Sequence, residues 1–264
     1  MHSTSYTLGF AAAVCVACSL VVSSAATLLR DRQDRNIEVD IQKNILRSVG
    51  FLHDPSGKPG PDEIRELYLS RIEALAIDRS GSAVKGKDPA DLDPSSYLDP
   101  KKDPEIIPLY VRKDEGRVAA YAFPVAGPGL WSTVYGYLAL EPDGDTVKGV
   151  TFYKHGETPG LGAEIEQAWF RENFVGKKVL GAEGELRSVS VVKGKVKDAV
   201  DADAAPHYVD GISGATLTGK GVTELLRAGL ERYEPFLRKV RERNRKPSTP
   251  GPREQGRAGR EARP

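Results

Sequence analysis

Hydrophobic residues along the chain follow three patterns, and each predicts a different kind of element. The first pattern is continuous: residues 1–29 contain no Asp, Glu, Lys or Arg, and residues 8–29 are mostly Ala, Val, Leu, Cys and Ser. At about 1.5 Å per residue such a segment is long enough to cross a bilayer. We therefore predict one N-terminal transmembrane helix, over residues 1–30.

A cleaved signal peptide, or a lipoprotein signal at Cys18, is the alternative for this segment. The first six residues lack the Lys or Arg of a signal peptide, and Cys15 stands where a lipoprotein signal prefers Leu. Gly9, Ala13 and Ala17 also recur every four residues, as on helices that pack closely in membranes. These features favour a membrane anchor with a membrane partner.

The second pattern is helical spacing in an otherwise polar sequence. It predicts an amphipathic helix after the anchor, a second one capped by Asp62, a short one over 162–174 and a last one from Thr216 to about Arg241. The predicted apolar faces are, in that order, Ile37, Ile41, Ile45, Val49 and Leu52; Ile64, Leu67, Tyr68, Ile72 and Leu75; Ile165, Trp169 and Phe170; Leu217, Leu225, Leu226, Leu230 and Phe236.

The third pattern is short runs of β-branched and aromatic residues, which predict strands over 116–125, 132–140, 147–153 and 186–192. Strands in the middle with helices at both ends indicate an α+β fold, an antiparallel sheet with packed helices, in one domain over 31–246. Residues 78–104 are predicted to form a surface loop. The tail, 247–264, lacks large apolar residues and is predicted to be disordered.

Composition narrows the possible functions. The 38 Lys and Arg residues nearly balance 37 Asp and Glu residues, so nothing indicates a nucleic-acid partner. Cys15 and Cys18 both lie in the predicted anchor, which excludes a cysteine-ligated iron–sulfur cluster, a disulfide or a thiol nucleophile from the domain. His53, His155 and His207 lack metal-ligand spacing, and we predict no metal site.

Residues 210–219 join a run of turn formers to the start of the last helix. The hydroxyls of Ser213, Thr216 and Thr218 therefore lie where unpaired N–H groups and the helix dipole favour a phosphate. A simple helix cap is the plainer interpretation. Residues 214–221 also approach a nucleotide-hydrolysing phosphate loop, but Gly221 stands where that loop needs Ser or Thr to hold magnesium.

Asp210, Ser213, Gly214, Ala215 and Thr216 resemble the flavin-transfer motif D-x-x-[ST]-G-A-[ST]. Residues 127–140, 155–162 and 191–194 resemble segments of the C subunit of the Na⁺-translocating NADH:quinone oxidoreductase, and the likeness extends to about residue 240. The G subunit of the Rnf ferredoxin:NAD⁺ complex shares this domain. The segments at 127–140 and 155–162 favour the sodium pump.

The resemblance implies an electron-carrying subunit with FMN attached to Thr216 by a phosphoester, and no catalytic residue of its own. Its implied partners are a flavin transferase and the other membrane subunits of a complex that couples NADH oxidation by quinone to Na⁺ export. A structural subunit without flavin is the alternative. The implied cofactor-binding residues are Trp131, Glu157, Thr158, Gly160, Leu161, Gly162, Lys193, Ser213, Gly214, Ala215, Thr216, Leu217 and Thr218, with Asp210 serving the transferase.

Roles for these residues follow from their chemistry. Gly160 and Gly162 let backbone approach the flavin ring, Leu161 and Trp131 cover its faces, and Lys193 offsets negative charge. Ordinary turn and core roles remain the alternatives for the glycines and Trp131. Glu157 and Thr158 have the alternative of capping the helix that follows them.

Two arguments about membrane orientation conflict. Arg30, Arg32 and Arg35 follow the anchor and no Lys or Arg precedes it, so the positive-inside rule places the domain in the cytoplasm. The resemblance places it outside, because flavin transferases of this type are exported. Since attachment at Thr216 requires that enzyme, we expect a single-pass protein of the bacterial inner membrane with a periplasmic domain.

Overall fold

The chain begins with one long helix, α1, Thr4–Ser48. In the computed structural model, which describes residues 3–52, 59–99 and 101–245, Thr4–Arg30 is long and apolar enough to cross a membrane and is not buried in the protein. The predicted anchor and the following amphipathic helix are therefore continuous, because residues 30–48 contain no Gly or Pro to interrupt the helix. The predicted end at Leu52 is wrong, since α1 stops at Ser48.

Helix α2, Pro61–Arg71, is followed at once by strand β1, Ile72–Asp78. The predicted extension of this helix to Leu75 is wrong. Strand β2, Ile106–Asp114, was not predicted, and it pairs antiparallel with β1 along the whole of β1. These backbone hydrogen bonds override the helical spacing of Ile72 and Leu75.

Three predicted strands are present as β3, Arg117–Pro128, β4, Thr133–Leu140, and β5, Val147–Lys154. With β1 and β2 they form a five-stranded antiparallel sheet whose order in space is the order in sequence. The predicted α+β class, an antiparallel sheet with packed helices, is confirmed.

The remaining short elements differ from their predictions. Residues 162–174 form 3₁₀ turns at Gly162–Glu166 and Glu172–Phe174 around α4, Ala168–Arg171, because Gln167 is extended and breaks the helix. Of the predicted strand 186–192, only β6, Ser190–Val191, forms, and it pairs in parallel with β7, Tyr208–Val209. Trp169 is 47% exposed and does not share the buried face of its neighbours.

The predicted loop 78–104 is mostly exposed, but it contains a 3₁₀ turn at Pro89–Asp91 and helix α3, Pro94–Tyr97. Helix α5, Val196–Ala199, and a 3₁₀ turn at Ala205–His207 lie between β6 and β7. His53 and the predicted disordered tail lie outside the described residues.

The last helix, α6, Thr216–Arg245, packs on one face of the sheet, and α1 with α2 covers the other. Alternation along β3 produces both faces: Phe123 and Val125 pack with α6, whereas Ala120 and Ala122 pack with α1. The Phe123 ring stacks on Tyr233 of α6 with centroids 4.4 Å apart. Each fully buried aromatic or aliphatic side chain in these layers contributes about 1.5 to 3 kcal/mol, and this packing fixes α6 against the sheet.

Candidate functional site

The loop before α6 is held in place by hydrogen bonds to residues 194–196, the segment that follows β6. The N–H of Gly211 donates to the carbonyl of Gly194 at 2.8 Å. The Asp210 carboxylate accepts from the Val196 N–H at 2.8 Å and from Nζ of Lys195 at 2.9 Å. The N–H of Val196, followed by the Lys195 ammonium, holds the pKa of Asp210 below its ordinary value although partial burial opposes this. Asp210 therefore connects two segments, a contact that sequence reasoning did not predict.

Helix α6 begins at Thr216, and this residue is exposed, as is Ser213 before it. Neither hydroxyl has a hydrogen-bond partner among the described residues. Ala215, in contrast, is buried and anchors the loop. The N–H groups in the first turn of a helix have no intrahelical partner, so Thr216 lies beside several donors. This corner of the protein offers an accessible hydroxyl in an anion-binding environment.

Thr216 lines a surface cleft of about 390 Å³ that runs between β6 and the start of α6. Three lysines line the same cleft: Lys193, Lys195 and Lys220. Lys195 is paired with Asp210, whereas Lys193 and Lys220 form no ion pair within the described part of the chain. Sequence reasoning missed Lys195 and Lys220. The four-residue spacing from Thr216 to Lys220, which places both on one helix face, was the available signal for the latter.

Thr218 lies two residues further and faces the interior. Its hydroxyl donates to Oε2 of Glu157 at 2.5 Å, and the other oxygen of Glu157 accepts from the Trp131 N–H at 3.0 Å. Glu157 is 5% exposed and Thr218 is 1% exposed. Burial raises the pKa of Glu157, but the Thr218 hydroxyl and the N–H groups of residues 130–132 together outweigh it and hold the pKa below its ordinary value.

This buried contact between Glu157 and Thr218 changes the roles predicted for Glu157 and Gly162. Glu157 does not cap the helical segment after it, because its carboxylate connects α6 to the loop before β4. A Cβ on Gly162 would lie 2.6 Å from Oγ of Thr218 and 2.8 Å from Oε2 of Glu157. Gly162 is therefore needed so that Glu157 and Thr218 can meet.

The rim of the site is apolar and exposed. Leu217 is 56% exposed, so its predicted place on the buried face of the last helix is wrong. Leu161 reaches the flavin-motif loop, since a Cβ on Gly214, whose φ is +76°, would lie 2.9 Å from Cδ2 of Leu161. Trp131 is 71% exposed, and Leu130, which sequence reasoning missed, is 45% exposed. Three loops, 129–131, 157–162 and 210–217, thus meet at one surface.

The predicted loop residues Thr158 and Gly160 are both exposed. The carbonyl of Thr158 accepts from the N–H groups of Leu161 and Ala163, each at 3.1 Å. Gly160, with φ of +72°, has open space where a side chain would be. These bonds fold the loop so that Leu161 points toward residue 214.

The start of α6 also passes very close to the end of β3. A Cβ on Gly221 would lie 2.3 Å from the carbonyl oxygen of Pro128, so a side chain at this position would clash with backbone. The Ser or Thr of a nucleotide-hydrolysing loop cannot be accommodated here. The geometry opposes that interpretation of residues 214–221.

The three loops lie within a recognised class of domain: residues 129–231 match the family model described as FMN-binding domain. Over most of its length the chain is also similar to curated proteins named as the C subunit of Na(+)-translocating NADH-quinone reductase. The protein from Yersinia pestis is 36% identical over 87% of this chain and 90% of its own. The protein from Pseudomonas aeruginosa is 38% identical over 91% of this chain and 97% of its own. The chain belongs to the family formed by the C subunits of Na⁺-translocating NADH-quinone reductases.

Solved structures agree with this assignment. The crystal structure of the C subunit of Na(+)-translocating NADH-quinone reductase from Parabacteroides distasonis is 35% identical, with a TM-score of 0.66 over 79% of this chain and 96% of that one. The crystal structure of Shewanella oneidensis NqrC is 28% identical, with a TM-score of 0.65 over 80% of this chain and 99% of that one. The resemblance to the sodium-pump subunit is confirmed.

Proposed function

We propose that this protein carries FMN in phosphoester linkage to Oγ of Thr216, as the electron-carrying subunit of a membrane complex that couples NADH oxidation by quinone to Na⁺ export. The observation that carries the attachment site is the contrast between two hydroxyls of one helix turn. Thr216 is exposed and has no partner among the described residues, whereas the hydroxyl of Thr218 is buried against Glu157. A transferase can reach the first hydroxyl and not the second.

The cleft fits the phosphate of such a cofactor. The first turn of α6 supplies unpaired N–H groups next to Thr216, and Lys193 and Lys220, which line the same cleft, supply positive charge. Lys195 forms an ion pair with Asp210, so it lines the cleft but its positive charge is already neutralised. Gly214 and Ser213 leave the approach to the Thr216 hydroxyl open.

The exposed rim fits the flavin ring. Leu161, Leu217 and Trp131 offer apolar surface next to the attachment point, where they can cover the ring and exclude water. When bound, FMN supplies one-electron and two-electron redox chemistry. No side chain of this protein is assigned a catalytic step, because its task is to hold, orient and shield the cofactor.

We place this subunit in the bacterial inner membrane, anchored by Thr4–Arg30, with its domain in the periplasm beside the other subunits of the complex. Attachment requires an exported flavin transferase to reach Thr216, and this requirement outweighs the charge pattern after the anchor. A phosphatase reporter fused after Arg245, at the end of α6, is expected to be active. Activity only from a cytoplasmic reporter at the same position would refute this orientation.

The attachment is tested by co-expressing the full chain with a flavin transferase and observing ultraviolet fluorescence in a denaturing gel. The wild-type band is expected to fluoresce, and Thr216→Ala is expected to abolish the signal. Ser213→Ala and Thr218→Val are the matched controls and are expected to retain it. Fluorescence that persists in Thr216→Ala refutes the assignment, and a wild-type band without flavin supports a structural subunit instead.

A further inference from the structure

A second cavity, which shares no lining residue with the candidate FMN site, lies between α1 and the N-terminal end of α2. Its volume is about 470 Å³. Its lining includes the polar and charged side chains of Arg32, Arg35, Glu38, Gln42, Asp62 and Arg65.

The position of this cavity relative to a membrane follows from α1. The apolar span ends at Arg30, and the helix continues without a break. Arg32 and Arg35 therefore lie about 3 and 7.5 Å further along the helix axis. A polar headgroup layer of roughly 5 to 7.5 Å borders each side of the hydrocarbon core. Both arginines are thus at the depth of lipid phosphates.

Gln42 points to a ligand independently of this charge. It is only 6% exposed, and its Nε2 donates to Oε1 of Glu38 at 3.1 Å. Its own Oε1 is buried and has no hydrogen-bond partner among the described residues. Because a buried acceptor without a donor is costly, the cavity is suited to a ligand that brings a donor.

The charges around the cavity are mixed. The lining carries three guanidinium groups together with the carboxylates of Glu38 and Asp62. The basic groups Arg32 and Arg35 lie toward the membrane, whereas Glu38 and Gln42 lie one to two turns further from it. A ligand that fits this order has a phosphate near the membrane and a hydrogen-bond donor beyond it.

We propose that this cavity binds the headgroup of a membrane glycerophospholipid. Its phosphate lies among Arg32, Arg35 and Arg65, and a terminal ammonium or hydroxyl group donates toward Glu38 and Gln42. Phosphatidylethanolamine and phosphatidylglycerol meet both requirements. Phosphatidylcholine has the phosphate but no N–H or O–H donor, so it is the discriminating lipid.

The test is native mass spectrometry of the full chain in detergent, titrated separately with these three lipids. Phosphatidylethanolamine and phosphatidylglycerol are expected to bind about tenfold more tightly than phosphatidylcholine, and Gln42→Leu is expected to abolish that preference. The double variant Arg32→Gln, Arg65→Gln is expected to weaken all three lipids about tenfold or more. Arg30→Gln is the matched control, because Arg30 lies at a similar membrane depth outside the cavity, and it is expected to bind as wild type does.

Several results would overturn the proposal. If phosphatidylcholine binds as tightly as the other two lipids, the headgroup donor has no role in binding. If Arg30→Gln weakens lipid binding as much as the double variant does, the effect is one of general charge near the membrane and not of this cavity. Displacement of lipid by soluble phosphoethanolamine or inorganic phosphate at equal concentration would mean a small-anion site. If Gln42→Leu does not fold, Arg32→Gln and Arg65→Gln, both at exposed positions, still decide the matter through phosphatidylethanolamine binding.

Discussion

The first turn of α6 has an outer and an inner side with opposite properties. On the outer side, Thr216 and Leu217 are exposed and Lys220 lines an open cleft. On the inner side, Thr218 is buried and hydrogen-bonded to Glu157. Groups proposed to meet a cofactor are thus left without protein partners, while their neighbours are fully satisfied. A rigid inner side can hold an accessible outer side in place, and this division predicts which substitutions affect stability and which affect the cofactor.

The largest expected effect is on the inner side. Glu157→Leu leaves the buried Thr218 hydroxyl and the partly buried Trp131 N–H without their carboxylate acceptor, and hydrogen bonds to a charged group are worth about 1.5 to 3 kcal/mol each. We expect the free energy of unfolding to fall by about 3 kcal/mol or more, measured by denaturant unfolding of the full chain in detergent.

The control for this prediction is the double variant Glu157→Leu, Thr218→Val. Replacing both polar partners by apolar groups restores part of the loss, so the two changes should be non-additive by about 0.5 to 3 kcal/mol. Strict additivity would show that the two side chains do not act as a pair.

Acid sensitivity is the next expected effect. The pKa of Glu157 and that of Asp210 both lie below their ordinary values in the folded protein. Their stabilisation is therefore fully present above the unfolded pKa values of about 4, and it is lost as the pH falls through the folded ones. Glu157→Gln is expected to flatten the fall of Tm as the pH drops below about 4.

Asp210→Asn provides the comparison, with a smaller change because its side chain is 26% exposed. Asp78, Asp114 and Asp143 also have lowered pKa values, so both variants keep some acid sensitivity. A slope identical to wild type in Glu157→Gln would contradict the stabilising role of its charge.

Local sequence signals were enough to predict much of the fold. Strands β3 to β5 and the core of α6 follow the spacing of their apolar residues. Local signals did not predict strand β2 or the end of α2. The pairing of Ile72–Asp78 with Ile106–Asp114 is a long-range contact that competes with helical spacing. The Leu217 error has a local cause: the buried positions in the first turn of α6 are Thr218 and Gly219, and Leu217 lies outside that face.

Residues of the candidate site were predicted mainly where they belong to a recognisable sequence motif. The loop at 210–216 and the rim residues Trp131 and Leu161 came from such segments. The contact of Glu157 with Thr218 joins residues 61 positions apart and has no local signal. Lys195 was equally hidden, because its place in the cleft depends on how β6 packs beside α6, whereas the four-residue spacing from Thr216 was an available signal for Lys220.

On the outer side, Lys193 and Lys195 allow a graded test of charge. Lys193 lines the cleft without an ion pair among the described residues, whereas Lys195 is neutralised by Asp210. Exposed unit charges about 6 Å apart at a dielectric near 80 interact by about 0.7 kcal/mol, which is on the order of 30 mV for one electron. Lys193→Ala is expected to lower the flavin reduction potential by this amount.

The measurement is a redox titration of the flavin-loaded protein at low salt, where screening is weakest. Lys195→Ala is expected to shift the potential less, since its charge is already paired. Equal shifts in the two variants would mean that pairing with Asp210 does not decide which lysine acts on the cofactor.

The smallest effect on stability is expected for Trp131→Ala. Only the backbone N–H of Trp131 takes part in the inner contact with Glu157, and the exposed indole can be removed without leaving a cavity. Surface substitutions of this kind usually change the free energy of unfolding by less than about 0.5 kcal/mol.

If the indole covers the flavin, its loss makes the ring more accessible, so iodide should quench flavin fluorescence more strongly in the Trp131→Ala variant. Trp169→Ala, another exposed tryptophan outside the three loops, is the matched control and should quench as wild type does. A large loss of stability in Trp131→Ala would place the indole with the inner side, and unchanged quenching would remove Trp131 from the cofactor surface.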